Sequence, residues 1–218
     1  MQTSALKPFF TAVALGLLLT ACETTPYYKA LEMVGIEKRD LLVDRVQDTQ
    51  AAQVQAQEAF RNALNVYRET ADADLNNLEG AYERFDAAYD RAADRVRDVE
   101  TDIDAVKRVA DDLFSEWEAE INLYQDADLR AASQAQLEET RARFLTLERT
   151  LDETEQRMDP ALLALRDRVL FLKHNLNAAA LRQLKGEVTR IEGDVTAVVA
   201  DLDRAIAEAN AFIAAMRS

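Results

Sequence analysis

The sequence predicts an all-α fold: an elongated antiparallel helical bundle or coiled coil of about four long helices plus a short N-terminal helix. Three observations lead there. From Leu75 to Trp117 an apolar or aromatic residue recurs in alternating steps of three and four, through Leu78, Tyr82, Phe85, Tyr89, Ala92, Val96, Val99, Ile103, Val106, Ala110 and Leu113. That spacing averages about 3.5 residues, the period of a helix whose apolar seam keeps facing its neighbours as they supercoil. A strand would need a period of two, and no segment shows it. Finally, the 218 residues include only 5 Gly and 3 Pro, too few for a turn-rich all-β domain.

The N-terminal residues read as an export signal. Lys7 is the only charge ahead of an apolar run from Phe9 to Leu19, which is well short of the roughly 20 residues of a spanning helix. The run ends in Leu19-Thr20-Ala21-Cys22, which resembles the bacterial lipobox. That resemblance implies a cleaved signal peptide over residues 1–21, with diacylglycerol attached to the Cys22 thiol and an acyl group on the new amine. An ordinary signal peptide with a cysteine nearby by chance is the competing reading, but Cys22 is the chain's only cysteine. Two or more acyl chains give stable anchoring where one does not. Glu23, not being Asp, favours the outer membrane under the enterobacterial sorting rule. The anchor would thus tie the chain to a membrane facing the periplasm.

A lipidated tether, residues 22–27, precedes a single helical-bundle domain over 28–218. Four residues of tether reach about 15–20 Å when extended, so the bundle would sit near the bilayer. Tyr27 and Tyr28 suit either interfacial anchoring or packing on the bundle base. Tyr27, Leu31 and Val34 fit a short helix that Gly35 would end.

The first long helix is expected over 37–70. Its start carries Leu41, Leu42, Val43 and Val46, and Phe60, Leu64 and Tyr67 close it. Between them Gln47–Gln57 has almost no large apolar side chain, so this helix is expected at the periphery, or with its glutamines turned to a partner. Asp74 or Asn76 would cap the next helix, Asn76 pairing with Glu79 in a capping box. That helix carries the seam to about Tyr124. Asp126 would cap the third, with Leu137, Phe144, Leu147, Leu151 and Met158 inside. At Asp159-Pro160 a kink or restart is expected, with Pro at a first helical position, a Met158–Leu163 staple, and a new stripe of Leu162, Leu165, Val169 and Leu172. Asn175 would end this helix in the left-handed conformation. Asn177 would cap the last, with a Leu176–Leu181 staple, and its stripe runs from Leu181 to Met216. Short connections make neighbours antiparallel.

The chemistry-bearing residues are sparse. A net charge of −14 repels phosphate backbones and anionic lipid, which argues against nucleic acid or a polybasic membrane contact. One His, His174, cannot supply the two Glu-x-x-His units of a di-iron bundle; beside Lys173 it suits a helix C-terminus. No catalytic residue, metal site or cofactor is expected. Asp86, Asp90, Asp94, Asp98 and Asp102 form an acidic stripe at four-residue spacing, where like charges repel. It reads as a solvated face relieved by Arg91, Arg95 and Arg97, or else as a docking stripe for a basic partner or a divalent cation.

Three blocks, Ala30–Val46 (ALEMVGIEKRDLLVDRV), Asp111–Ile121 (DDLFSEWEAEI) and Val169–Leu181 (VLFLKHNLNAAAL), resemble a family of Gram-negative bacterial lipoproteins, domain-of-unknown-function family 2959. The resemblance covers the chain from about Tyr28 onward. It implies a lipid-anchored helical envelope protein and brings no reaction, ligand or functional residue.

The function expected is therefore that of a non-enzymatic scaffold or adaptor of the bacterial envelope, working through protein–protein contacts and open to homo-oligomerisation. The candidate contact surface lies in Leu31, Glu32, Met33, Glu37, Lys38, Arg39 and Asp40, where plain heptads break down, although packing alone would also explain these residues. The alternative is a bundle that opens near Pro160 to take up lipid or insert into a membrane.

Overall fold

The computed structural model describes residues 38–217, which all fall in the second of two units, the chain dividing after Gly35. Four long helices make up this unit: α1 (Lys38–Ala71), α2 (Leu78–Ile121), α3 (Ala127–His174) and α4 (Ala178–Arg217). At 1.5 Å per residue they span about 50 to 70 Å. Among the described residues there is no strand. The signal peptide, Cys22, the tether and the short helix expected over Tyr27–Val34 lie outside the described residues.

Each helix packs against its sequence neighbour, and α1 closes the bundle against α4. All four interfaces are antiparallel. Along α1 and α4, Arg39 meets Met216, Gln57 meets Val199 and Tyr67 meets Leu184, one number rising as the other falls. Phe114 with Phe144 and Lys107 with Asp152 show the same for α2–α3, Phe144 with Phe212 and Arg168 with Glu187 for α3–α4, and Tyr67 with Phe85 and Asn62 with Arg91 for α1–α2. The two ends therefore differ. One gathers the start of α1, the end of α4 and the α2–α3 turn. The other holds the α1–α2 and α3–α4 turns.

Most of the α2 seam is buried, from Leu78 through Phe85, Ala92, Val96, Val99, Ile103 and Val106 to Leu113, but Tyr82 and Tyr89 are only half-buried and Ala81 and Ala88 fill the core beside them. Leu75 departs from it. It begins a short 3-10 turn, Leu75–Asn77, and is 55% exposed. Asp74 caps that turn by accepting from the Asn76 amide at 2.9 Å, and Asn77 precedes α2 with no side-chain cap. The capping box on Asn76 does not form because the 3-10 turn displaces it.

α1 is not peripheral. Thr49, Ala52, Gln53, Ala56 and Gln57 are all buried. The sequence lacks large apolar groups there because small side chains let the helix lie close to α2 and α4, and close approach conserves packing density.

Further expectations change in α3 and at its end. The helix runs without interruption through Pro160, and its buried seam goes Thr154, Met158, Ala161, Leu165, Val169 and Leu172. Ala161 thus holds the place given to Leu162, and Leu163 is too exposed to staple Met158. Proline is tolerated because it lies on the exposed side, where water can bond the Gln156 carbonyl that the missing N–H leaves free. Asn175 ends α3 at φ −137°, outside the left-handed region, with its side chain donating to the Phe171 carbonyl at 2.8 Å. That bond satisfies the carbonyl that a left-handed cap would otherwise reach. Leu176 is exposed and makes no staple. Asp126 and Asn177 cap as their types dictate, Asp126 accepting from Asp128 and Leu129, Asn177 from Ala179 and Ala180.

Candidate functional site

At the end where the chain joins the bundle, Lys38 and Arg39 hold the helix starts and ends together. Lys38 pairs with Glu116 of α2 at 2.7 Å, and Arg39 donates to the Met216 carbonyl near the end of α4. Leu41, Leu42, Val43 and Val46 are buried directly behind them. The described part of the proposed contact surface is therefore largely engaged in packing, which leaves Asp40 exposed. Leu31, Glu32, Met33 and Glu37 lie outside the described residues.

The α2–α3 hairpin runs on beyond this level. Trp117, half-buried, donates to Ser133 Oγ at 3.0 Å across the hairpin. Past it come Ile121, the turn, and a first stretch of α3 in which residues 127–132 are all exposed. The turn is held by Leu123 N–H to Glu120 and by Arg130 donating to the Tyr124 carbonyl. It presents Leu123 and Leu129 at 74% and 58% exposure, with Tyr124 partly exposed between them.

Midway along the bundle is a polar layer. Gln57 donates to the Val199 carbonyl at 3.0 Å and to Asp203 at 2.6 Å. Gln53, one turn earlier, is fully buried, and neither end of its amide has a partner. Asp201 of α4 is buried too, with Arg204 and Arg157 reaching its carboxylate from the surface and the Thr154 hydroxyl donating to its carbonyl. The absence of large side chains in Gln47–Gln57 is the sequence signal for this layer. Its companion Asp201 gave none, because it stands one step off the apolar stripe of α4.

The acidic stripe is mostly solvated. Arg97 pairs with Asp94 and Arg95 with Asp98, while Arg91 turns to Asn62 of α1. Asp90 is exposed and Asp86 half-buried. At its far end Asp98 and Asp102 face Asp48 across a groove of about 400 Å³ between α1 and α2. Burial pushes the Asp102 carboxyl above its ordinary range, and the Asp48 and Asp98 carboxylates add to this. A similar cluster links α2 and α3, where burial, then neighbouring carboxylates, raises Glu100. Glu155 is raised chiefly by burial, against the pull of Lys107. Among the described residues no group of three or more His, Cys, Asp or Glu is arranged to hold a metal ion.

The opposite end carries a cleft of about 250 Å³ between α3 and α4, lined by Asp167, Arg168, Phe171, Gln183, Leu184 and Glu187. Arg168 and Arg190 both donate to Glu187, and the Arg168 bond is first among the causes that hold its carboxyl below the usual range. Beneath it the buried Tyr67 hydroxyl donates to the Leu184 carbonyl at 2.7 Å, and burial lifts its pKa to about 12. His174 is the last residue of α3 and is exposed. No described helix is long and apolar enough to cross a membrane.

Residues 27–216 match a family model described as protein of unknown function, DUF2959. Neither the curated proteins nor the solved structures yield a match.

Proposed function

The chain belongs to the DUF2959 family of proteins of unknown function, and on that premise we propose that it is a non-enzymatic, lipid-anchored scaffold or adaptor of the bacterial envelope, facing the periplasm. The observation that carries this reading is the sequence Leu19-Thr20-Ala21-Cys22 ahead of a bundle of four long helices. A thioether lipid on Cys22 and an acylated amine hold the chain at a membrane by two or more acyl chains. The bundle then offers long helical faces to other proteins, and the partly solvated stripe Asp86–Asp102 is the face best suited to a basic partner. The alternative, a bundle opening at Pro160, has less to support it, since α3 and its buried seam pass through that residue.

Two measurements test the reading together. Radiolabelled palmitate should enter the protein and be lost in Cys22→Ser, which should also leave the membrane fraction. A photo-reactive residue at Glu37 or Asp94 should then capture one dominant protein, or a second copy of this chain, in cells. Crosslinks mainly to lipid at Asp94 would overturn the scaffold reading.

A further inference from the structure

We infer that the α2–α3 hairpin tip, Leu123, Tyr124 and Leu129, is a second membrane contact that rests on a zwitterionic lipid surface and stands the bundle on the bilayer. The inference depends on the lipid anchor at Cys22 proposed above.

Three observations converge on it. The first is exposure without a protein partner of the described chain. Leu123 and Leu129 are among the most exposed large apolar side chains described, and Tyr124 lies with them in one seven-residue stretch. Elsewhere such side chains are scattered singly along the helices or over separate turns, as with Leu75 and Leu176 at the opposite end. Single exposed apolar residues need no explanation; a cluster at a tip does.

The second is position. Lys38 pairs with Glu116, so α1 begins level with that residue, and α2 continues five residues further to Ile121 before the turn. The hairpin thus projects past Lys38, the first described residue of α1, by about 8 Å plus the turn. It does so at the end of the bundle that is covalently connected to Cys22. Fifteen residues, 23–37, separate Cys22 from Lys38. Fifteen residues reach at most about 50 Å. That limit exceeds the projection, so the chain length lets the anchor and the tip reach one bilayer together.

The third is charge. Glu120, Asp126 and Asp128 lie around the tip against Arg130, while Glu118 is paired with Arg141. An anionic surface would repel such a rim, whereas zwitterionic headgroups offer it their ammonium groups. Tyr124 has the apolar body and polar hydroxyl of side chains that settle at headgroup level. Three side chains bind a bilayer weakly by themselves. Tethered by the lipid, they act at high effective concentration, and the contact becomes intramolecular in effect. The consequence is mechanical: a bundle held at two points keeps its long faces upright and at a fixed height.

The test uses the full lipidated protein in vesicles of phosphatidylcholine and phosphatidylethanolamine, with and without brominated acyl chains. Trp117 is the only tryptophan, so Trp117→Phe combined with Tyr124→Trp places a single fluorophore at the tip. Trp117→Phe with Leu176→Trp places it at the other end. The inference expects brominated lipid to quench the tip fluorophore strongly and the distal one not at all. Leu123→Asp with Leu129→Asp should abolish the quenching while the protein still floats with vesicles, and phosphatidylglycerol should reduce it. Equal quenching at both ends, or none at the tip of a floating protein, overturns the inference while leaving the anchor intact. Unquenched but blue-shifted tip emission overturns it in favour of a protein cover, either residues of this chain before Lys38 or a second copy. Failure to float overturns the anchor, and the inference with it.

Discussion

Gln53 and Gln57 stand one helical turn apart on the same face of α1, both buried, and substitution by leucine should act on them with opposite sign. At Gln53 neither the carbonyl nor the amino end of the amide has a partner. Leaving such a group buried and unsatisfied costs about 1–3 kcal/mol. Leucine removes that cost, adds apolar contact in a site walled by helices, and introduces little strain because the two side chains are of similar size. Gln53→Leu should therefore stabilise the bundle by about 2–4 kcal/mol, which for a chain of this length raises Tm by roughly 5–10 °C. At Gln57 the amide donates to the Val199 carbonyl and to Asp203. Gln57→Leu should forfeit those bonds and destabilise by about 1–2 kcal/mol, since one acceptor is charged. Urea unfolding followed by far-UV circular dichroism reads both, as shifts in midpoint at constant slope. A lower midpoint for Gln53→Leu would refute the reasoning. It would mean that the folded protein satisfies this amide, as a trapped water with two or more polar contacts would do.

Pro160→Ala should stabilise by about 2–3 kcal/mol in the same assay, because proline stands inside α3; no change would mean that the helix restarts there. Glu100→Gln should raise stability at neutral pH. Its folded pKa lies above the ordinary 4.5 through burial and the nearby Asp159 and Glu155, so the folded state loses stability as pH rises through that range. The gain should vanish below about pH 4.5, and a pH-independent gain would refute the assignment. Glu187→Gln should do the reverse. Arg168 holds the carboxyl low, so its stabilisation is present above the unfolded pKa and lost as pH falls through the folded one; denaturation midpoints against pH should show the loss only at the higher values. Tyr67→Phe should cost about 1 kcal/mol by removing the bond to the Leu184 carbonyl, and an unchanged midpoint would show that bond to be idle.

The physical basis of these contrasts marks the limit of reading from sequence. Asp126 and Asn177 were legible as caps because a helix start needs a side-chain acceptor whatever surrounds it. Asn76 and Asn175 were not, because a 3-10 turn at Leu75 and a side-chain bond to Phe171 took over functions that local rules gave to them. Pro160 looked like a boundary from its type alone, and only its place on the exposed side of α3 made an unbroken helix tolerable.

Periodicity alone determined that the described residues form helices and that these meet along heptad-like seams, since a 3.5-residue apolar repeat leaves no other way to bury half-apolar segments. It determined nothing about how deeply α1 packs, because its small residues read as a weak seam until their burial against α2 and α4 shows them to be core. The buried Gln53, Gln57 and Asp201, and the projection of Leu123, Tyr124 and Leu129 beyond the level of Lys38, were likewise decided by tertiary structure. Burial and reach depend on where neighbouring helices begin and end, and that is a property of the assembled bundle.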